Sequence, residues 1–321
     1  PPPAGGRRCR RQRHHERRHG PLTRMTSPAT VGLLINQTKP GAMEVARALV
    51  AQLRTRGVRV LALETDAGQL NGGACRPMAD AAQLAQEADI VVVFGGDGTL
   101  LAAARNVAPH GKPLLGVHFG HFGFLTEVDP EYLPRAVDAI LEGRSTVEER
   151  SMLRAEVRRR GRDPEECDTL LGMNDMVVAS GAVRMVHVHT RIGGQSVATY
   201  AADGVIVASP TGSTGYSLSA GGPLVHPASP VFLVTPICPH TLNARALIIP
   251  DTETVELSLE GHRSDTTGVV SADGQTELPL GPGDTVTVRR APHVVKLIRL
   301  GGPDFYQKIR ERWRYGERSA N

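Results

Sequence analysis

The sequence predicts an α/β fold, with a doubly wound parallel sheet in its first half and a β-rich second domain. Three observations carry this. Strand and helix signals alternate from Val31 to Leu141. The run Ile90–Phe94, IVVVF, is apolar at every position, as a strand covered on both faces must be. After about Thr146 the helical rhythm gives way to short strand candidates, several of them alternating, separated by glycine and proline turns.

Val31–Ile35 reads as a buried strand that ends at NQTKPG. In Ala42–Arg56, Val45, Leu49 and Leu53 recur every four residues and make one helical face, which Gly57 stops. Val58–Leu63 is the next strand, Ala79–Gln86 a short helix and Ile90–Phe94 the buried strand. Leu100–Val107 is a helix beginning near Thr99, Pro113–Val117 a strand, and Glu131–Leu141 a helix closed at Gly143. The second half offers strands at Leu153–Val157, Asp175–Ala179, Met185–Ile192, Val205–Ala208, Phe232–Thr235, Val255–Leu259, Val269–Ser271, Thr285–Val288 and Val294–Ile298. A last helix carries Phe305, Ile309 and Trp313 at four-residue spacing, and the single tryptophan is expected to pack it onto a domain.

With 321 residues, 40% apolar and 22% charged, the chain is long enough for about two soluble domains. No run approaches the ~18–20 apolar residues of a membrane helix. The net charge of +4 misleads about partners. Residues 1–25 hold eight arginines and one acid; without them 29 basic and 32 acidic residues remain, a balance of −3. The basicity therefore belongs to a tail whose one sizeable aliphatic residue, Leu22, cannot build a core, and nucleic acid is not the expected partner. Residues 1–24 read as a disordered basic segment, upstream sequence translated in frame before a natural start at Met25. A polyanion-binding arm is the alternative; a transit peptide would need an apolar stripe that is missing. Four cysteines without a CxxC spacing favour a reducing compartment, hence the cytoplasm. His187 and His189 share one strand face without further donors, so no metal site is expected.

Four stretches carry chemistry. Gly95-Gly96-Asp97-Gly98-Thr99 follows the buried strand and opens a helix. Beyond the carboxyl end of a parallel strand, glycines let backbone approach phosphate oxygens and take positive φ, and a helix N-terminus adds unpaired N–H groups. A carboxylate among phosphates needs its own reason: accepting a proton or helping to hold Mg²⁺. An Asp-Gly turn is the plainer reading, and the Gly-Lys-Ser/Thr ending of a Walker loop is absent. The second stretch, ADGVIVASPTGSTGYSLSAGGP (Ala202–Pro223), follows a strand with Ser209, Thr211, Ser213, Thr214, Tyr216, Ser217 and Ser219, which suit a polar ligand. A flexible linker is its alternative. The third is Asn174-Asp175 before an apolar strand, otherwise an ordinary turn pair. The fourth is GVHFGHFGFLTE (Gly116–Glu127), whose aromatics could stack on a base or simply pack the core.

These four pieces, in this order, resemble the NAD kinases of bacterial type, and the match runs from Met25 through nearly the whole chain. GGDGT by itself also occurs in phosphofructokinases and lipid kinases; NDMVVA, the Ala202–Pro223 block and TPICPHTLNARALIIP (Thr235–Pro250) are what separate the family. The resemblance implies a Rossmann-like α/β phosphate-donor domain (25–147 plus 300–321, the C-terminal segment docking back) and a β-rich NAD-binding domain (148–299). It implies γ-phosphoryl transfer from ATP, or polyphosphate, to the 2′-hydroxyl of the adenosine ribose of NAD, with Mg²⁺ accompanying the donor. Asp97 matches the catalytic aspartate; Gly95, Gly96, Gly98 and Thr99 match the rest of the phosphate-donor loop, Gly98 also touching NAD. Phe124 matches an aromatic packed on adenine. Asn174 and Asp175 match an Asn–acid pair at the adenosine end. Asp203, Thr214, Tyr216 and Ser219 match pocket positions, and Asp273 a further Asp-Gly nearby. His118 stands where many members have asparagine, Gly215 where alanine is common, and Asp175 where glutamate is more frequent. The family also implies homodimers or homotetramers. A lipid kinase would need an apolar acyl cleft or membrane-facing patch in place of this hydroxyl-rich loop; a non-catalytic NAD(P) sensor would differ only in lacking turnover.

Overall fold

The computed structural model describes residues 30–70, 73–120, 123–163, 166–181, 185–260, 267–302 and 304–313. The arginine-rich tail, Met25 and the side chain of Trp313 lie outside what is described. The first half runs β1 (Thr30–Ile35), α1 (Ala42–Thr55), β2 (Arg59–Leu63), α2 (Glu64–Ala67), β3 (Arg76–Met78), α3 (Ala81–Glu87), β4 (Ile90–Phe94), α4 (Asp97–Val107), β5 (Pro113–Val117) and α5 (Leu133–Leu141). Its strands are parallel in the order β3-β2-β1-β4-β5. The order reverses between β1 and β4, and a doubly wound sheet binds its ligand beyond the strand ends at that point.

Apolar periodicity explains the layers. Leu49, Val50 and Leu53 of α1 and Leu133, Val137 and Ile140 of α5 bury against one face of the sheet. Leu84 of α3 and Leu100, Ala104 and Val107 of α4 bury against the other. Strand β4 feeds both layers, Ile90, Val92 and Phe94 into the first and Val91 and Val93 into the second, which is why it shows no alternation.

The second half comprises β6 (Thr146–Arg158), β7 (Cys167–Gly172), β8 (Asp175–Ser180), β9 (Val186–Ile192), β10 (Gln195–Ala202), β11 (Gly204–Ala208), α6 (Tyr216–Ser219), β12 (Val231–Ile237), β13 (Leu247–Pro250), β14 (Val255–Glu260), β15 (Gly268–Ala272), β16 (Thr276–Leu280) and β17 (Thr285–Arg299); α7 (Phe305–Trp313) follows. Six strands form an antiparallel sheet in the order β13-β12-β11-β8-β15-β16. The others continue the parallel sheet into an 11-stranded one. The side chains of Leu153, Val157, Val255 and Val286 meet Met176, Val178, Val205 and Val270 between the two sheets as one apolar core.

The long strands β6 and β17 join the halves. Near its end β17 lies parallel to β5, Lys296 opposite Pro113 and Leu297 opposite Leu114, and antiparallel to the start of β6. At Thr285–Val288 it lies between β6 and β14. The two strands expected at Thr285–Val288 and Val294–Ile298 are thus one, interrupted by a register shift between Arg290 and Val294. Five strands escape sequence reading: β3, β7, β10, β13 and β16 are short or polar, and each has only one strand neighbour in its sheet. The helix expected near Thr99 starts earlier, at Asp97.

Candidate active site

The GGDGT stretch sits at the switch point. Asn36, just past β1, donates its backbone N–H to the Phe94 carbonyl (3.0 Å), and its Nδ2 donates to Thr99 Oγ1 (3.0 Å), tying the ends of β1 and β4 together. Asp97 is the first residue of α4, capped by Gly96. These glycines do not use the positive φ open to them: Gly95, Gly96 and Gly98 all lie outside the left-handed region. Space is the reason instead. A Cβ on Gly95 would collide with the Thr99 side chain, whereas one on Gly96 would meet open space above the helix N-terminus. The first N–H groups of a helix lack intrahelical partners, so this open ground suits an anion.

Asp97 is held by the loop after β5. Its Oδ2 accepts from the Phe124 N–H (2.8 Å), and Oδ1 accepts from Leu125 N (3.1 Å) and Thr126 N (3.2 Å). Gly123 makes this possible, because a Cβ there would lie inside the Asp97 carboxylate. A carboxylate offers about four acceptor positions. Three are taken among the described residues, which leaves Oδ2 one position for a hydroxyl. Phe124 is half-buried, and the Arg312 guanidinium lies 5.2 Å from its ring centroid.

The other wall is one end of the antiparallel sheet. Register brings Asp175 opposite Ala208 and Ala272 opposite Met176, so Asn174, Asp175, Ser209 and Asp273 share that end. Asp273 and Gly274 both have positive φ, 53° and 63°, as expected for a tight Asp-Gly hairpin turn between β15 and β16. The Asp273 side chain is fully buried. Its carboxylate accepts from the N–H groups of Met173, Asn174 and Asp175 (3.1, 2.7 and 3.3 Å) and pairs with Arg105 of α4 (3.0 Å). Burial, and then the nearby Asp273 charge, push the Asp175 carboxyl up to about 7. Gln275 donates to the Gly98 carbonyl (2.8 Å) and accepts from Arg105 (2.6 Å). The hairpin therefore grips α4, and the two walls face each other across that contact.

The hydroxyl-rich stretch is not a linker. It packs on the Asn174 main chain, where a Cβ on Gly212 would strike the Asn174 carbonyl. Ser209, Thr211, Ser213 and Ser217 are buried. Their hydroxyls bond internally: Ser209 to the Met173 carbonyl (2.6 Å), Ser213 to the Val225 carbonyl (3.1 Å), Ser217 with Thr235 (3.0 Å), and Thr211 with Arg150 (3.3 Å). Thr214 is half-buried, while Tyr216 and Ser219 are exposed. Asp203 is not brought to this end. It precedes Gly204, which pairs with Ala179 at the opposite end of β11. His118 is buried with Nε2 3.1 Å from Asp129.

Sequence reading missed the charged groups behind Asp97. Arg150 pairs with Glu148 (2.9 Å). Arg299 pairs with both Glu148 (2.7 Å) and Glu127 (2.9 Å). Burial would raise the Glu148 carboxyl, but Arg150 and Arg299 bring it down to about 2. Asn36, Arg105, Arg150 and Gln275 lie far apart in sequence and belong to no short motif; their only signal is position beside a strand end or a turn.

Both halves of the chain are similar to known proteins. Residues 31–145 match the family model of the ATP-NAD kinase N-terminal domain, and residues 173–300 that of the ATP-NAD kinase C-terminal domain. The chain is 44% identical over 288 residues to an NAD kinase of Heliobacterium modesticaldum, covering 89% of this chain and 99% of that one. It is 42% identical to an NAD kinase of Moorella thermoacetica over 287 residues, 89% of each. The crystal structure of yeast NADH kinase complexed with NADH shares the fold, with a TM-score of 0.84 at 24% identity over 92% of this chain and 91% of that one. An NAD kinase from Archaeoglobus fulgidus in complex with ATP does so with a TM-score of 0.64 at 24% identity, over 90% and 97%. Family models matching both halves, and relatives this similar along nearly the whole chain, show that this protein is a phosphotransferase belonging to the NAD kinase family.

Proposed function

We infer that the chain transfers the γ-phosphoryl group of ATP to the 2′-hydroxyl of the adenosine ribose of NAD, giving NADP and ADP. The observation that carries this reading is the Asp97 carboxylate, held by three amides at the start of α4 with one acceptor position left over. The 2′-oxygen forms its bond to phosphorus while its proton passes to Asp97 Oδ2 and the bond from phosphorus to the departing ADP oxygen breaks. Gly95, Gly96, Gly98 and Thr99 receive the donor phosphates at the helix N-terminus. Asn174, Asp175 and Asp273, with Thr214, Tyr216 and Ser219, line the NAD side, and Phe124 lies beside the adenine. Phosphoryl transfer asks chiefly for positioning and charge stabilisation, which these groups supply.

Mg²⁺ accompanies the donor and offsets the charge of its phosphates. Among the described residues no group of three carboxylate, histidine or cysteine side chains is built to hold a resident ion. Polyphosphate is the alternative donor. On this reading residues 25–147 with 300–321 handle the donor, and 148–299 handle NAD. A homodimer or homotetramer is the assembly that the family resemblance implies. A cytoplasmic location accords with four cysteines that lack a CxxC spacing, and the acidic balance beyond the tail disfavours nucleic acid as a partner.

The test is to incubate the protein with ATP, Mg²⁺ and NAD and to measure NADP. Time-dependent NADP formation that needs both substrates is expected. Tight NAD binding with no NADP under any donor would refute the reading in favour of a sensor.

A further inference from the structure

The tripeptide Phe124–Thr126 is gripped on both sides of its main chain. Its three N–H groups go to Asp97. Its carbonyls go to two cations from the far end of the sequence: Lys308 Nζ of α7 donates to the Phe124 carbonyl (3.1 Å) and to the Thr126 carbonyl (3.4 Å), and Arg299 Nη1 donates to the Leu125 carbonyl (3.1 Å). Lys308 is 6% exposed, the most deeply buried of the described residues of a helix that exposes most of the others and only half-buries Phe305 and Ile309. Burying an ammonium is costly, and an apolar side chain would hold a helix against a domain at less expense. The charge at this position therefore has a role that packing alone does not explain.

We propose that Lys308 is a positioning residue for phosphoryl transfer: by holding the Phe124 and Thr126 carbonyls it fixes the amides that aim the Asp97 carboxylate. The proposal rests on the reading of Asp97 as proton acceptor. It gives α7 a catalytic consequence without substrate contact, since a shift of about 1 Å at a reacting group costs ~10²-fold in rate. Lys308 also sits in a cluster of charges. Burial and the Arg299 charge push the ammonium down to about 8, with Glu127 and Asp97 holding it up and Arg150 lowering it further. The ammonium is charged below that pH and loses its charge above it.

The experiment compares the full chain with Lys308→Met, Lys308→Arg and Asp97→Asn, using ATP, Mg²⁺ and NAD. For Lys308→Met, kcat should fall ~10- to 100-fold while KM for both substrates changes less than ~3-fold. Amide hydrogen exchange in the segment around residues 123–127 should speed up. Lys308→Arg should recover most of the turnover and the slow exchange. In the parent protein kcat should decline above about pH 8, and Lys308→Arg, which stays charged, should lack that decline. Turnover of Lys308→Met within ~2-fold of the parent, unchanged exchange, no recovery in Lys308→Arg, or an alkaline decline that is absent or persists in Lys308→Arg would each overturn the proposal. If Lys308→Met does not fold, the pH profiles of the parent and Lys308→Arg decide. An active Asp97→Asn enzyme would instead overturn the reading of Asp97; an inactive one beside a normal Lys308→Met would sink this proposal alone.

Discussion

Adding one methyl group at Gly123 should disable the enzyme without unfolding it. The three atoms nearest a Cβ at this position are the carboxylate carbon and both carboxylate oxygens of Asp97, all closer than any real Cβ contact. Gly123 is not in the left-handed region, so alanine meets no backbone strain there and the effect is one of space. Two responses are open. The loop can withdraw, which breaks amide bonds to Asp97, each worth about 1.5–3 kcal/mol for a charged acceptor. Otherwise the carboxylate rotates away from the loop and loses the same bonds. Overpacking of this kind costs about 1–3 kcal/mol net after relaxation, well below the ~5–15 kcal/mol that holds a folded protein. The variant should therefore fold, with a melting temperature lower by roughly 2–12 °C. Its carboxylate will be displaced by about 1 Å or more, so kcat should drop ~10²- to 10⁴-fold while KM for NAD moves little. Steady-state kinetics beside a thermal melt checks this. A folded Gly123→Ala protein with kcat within ~3-fold of the parent would refute the placement of Asp97 under this loop as a requirement for catalysis.

Other perturbations test other parts of the site. Asp97→Asn should cut kcat by ~10²- to 10⁴-fold with NAD still bound, measured by single-turnover kinetics and NAD titration. Because asparagine has a single acceptor oxygen, the same variant should also loosen the 124–126 loop, visible as faster amide exchange. Arg105→Met strips the buried Asp273 of its cation, a loss of about 3–5 kcal/mol, and should lower the melting temperature by roughly 10 °C while raising KM for NAD; a melt within about 2 °C of the parent would contradict this. Asp175, held up at about 7, keeps its proton in the folded protein where the unfolded chain, near ~4, has lost it. Its contribution to stability is complete below ~4 and is lost as pH rises through about 7. Asp175→Asn should flatten that fall in chemical denaturation between pH 4 and 8, and an unchanged slope would show that Asp175 is not the group responsible.

Residues of β4 show how far local pattern reaches. Five apolar residues bounded by Gly95 cannot be a half-buried strand, and their burial on both faces follows. The Asp-Gly pair at 273 likewise announces a tight turn, since aspartate and glycine tolerate positive φ. Strands β10 and β16 show where pattern stops. They lie at sheet edges, expose half or more of their residues and carry little apolar periodicity to read. The break within β17 misled for a related reason: its polar middle, Arg289 to His293, is a register shift rather than a turn.

Among site residues, Asp97 stood out because a carboxylate in a phosphate-type loop is chemically odd. Of the seven hydroxyls in the stretch after β11, sequence alone could not say which face a ligand. The structure spends Ser209, Ser213 and Ser217 on internal bonds and leaves Tyr216 and Ser219 exposed. Asp203 looks equivalent to its neighbours along the chain, yet the extended strand β11 carries it to the far end of the sheet.

Short-range chemistry thus determined the class of fold, the glycine-rich turn after β4 and the identity of the acidic group at its centre, because each is written in residues a few positions apart. What surrounds that acid was decided only by the folded chain. Gly123, Lys308, Arg299 and the Arg105–Asp273 pair reach the site from separate elements, and a charge or a hydrogen bond acts over a few ångströms of space, whatever the separation in sequence.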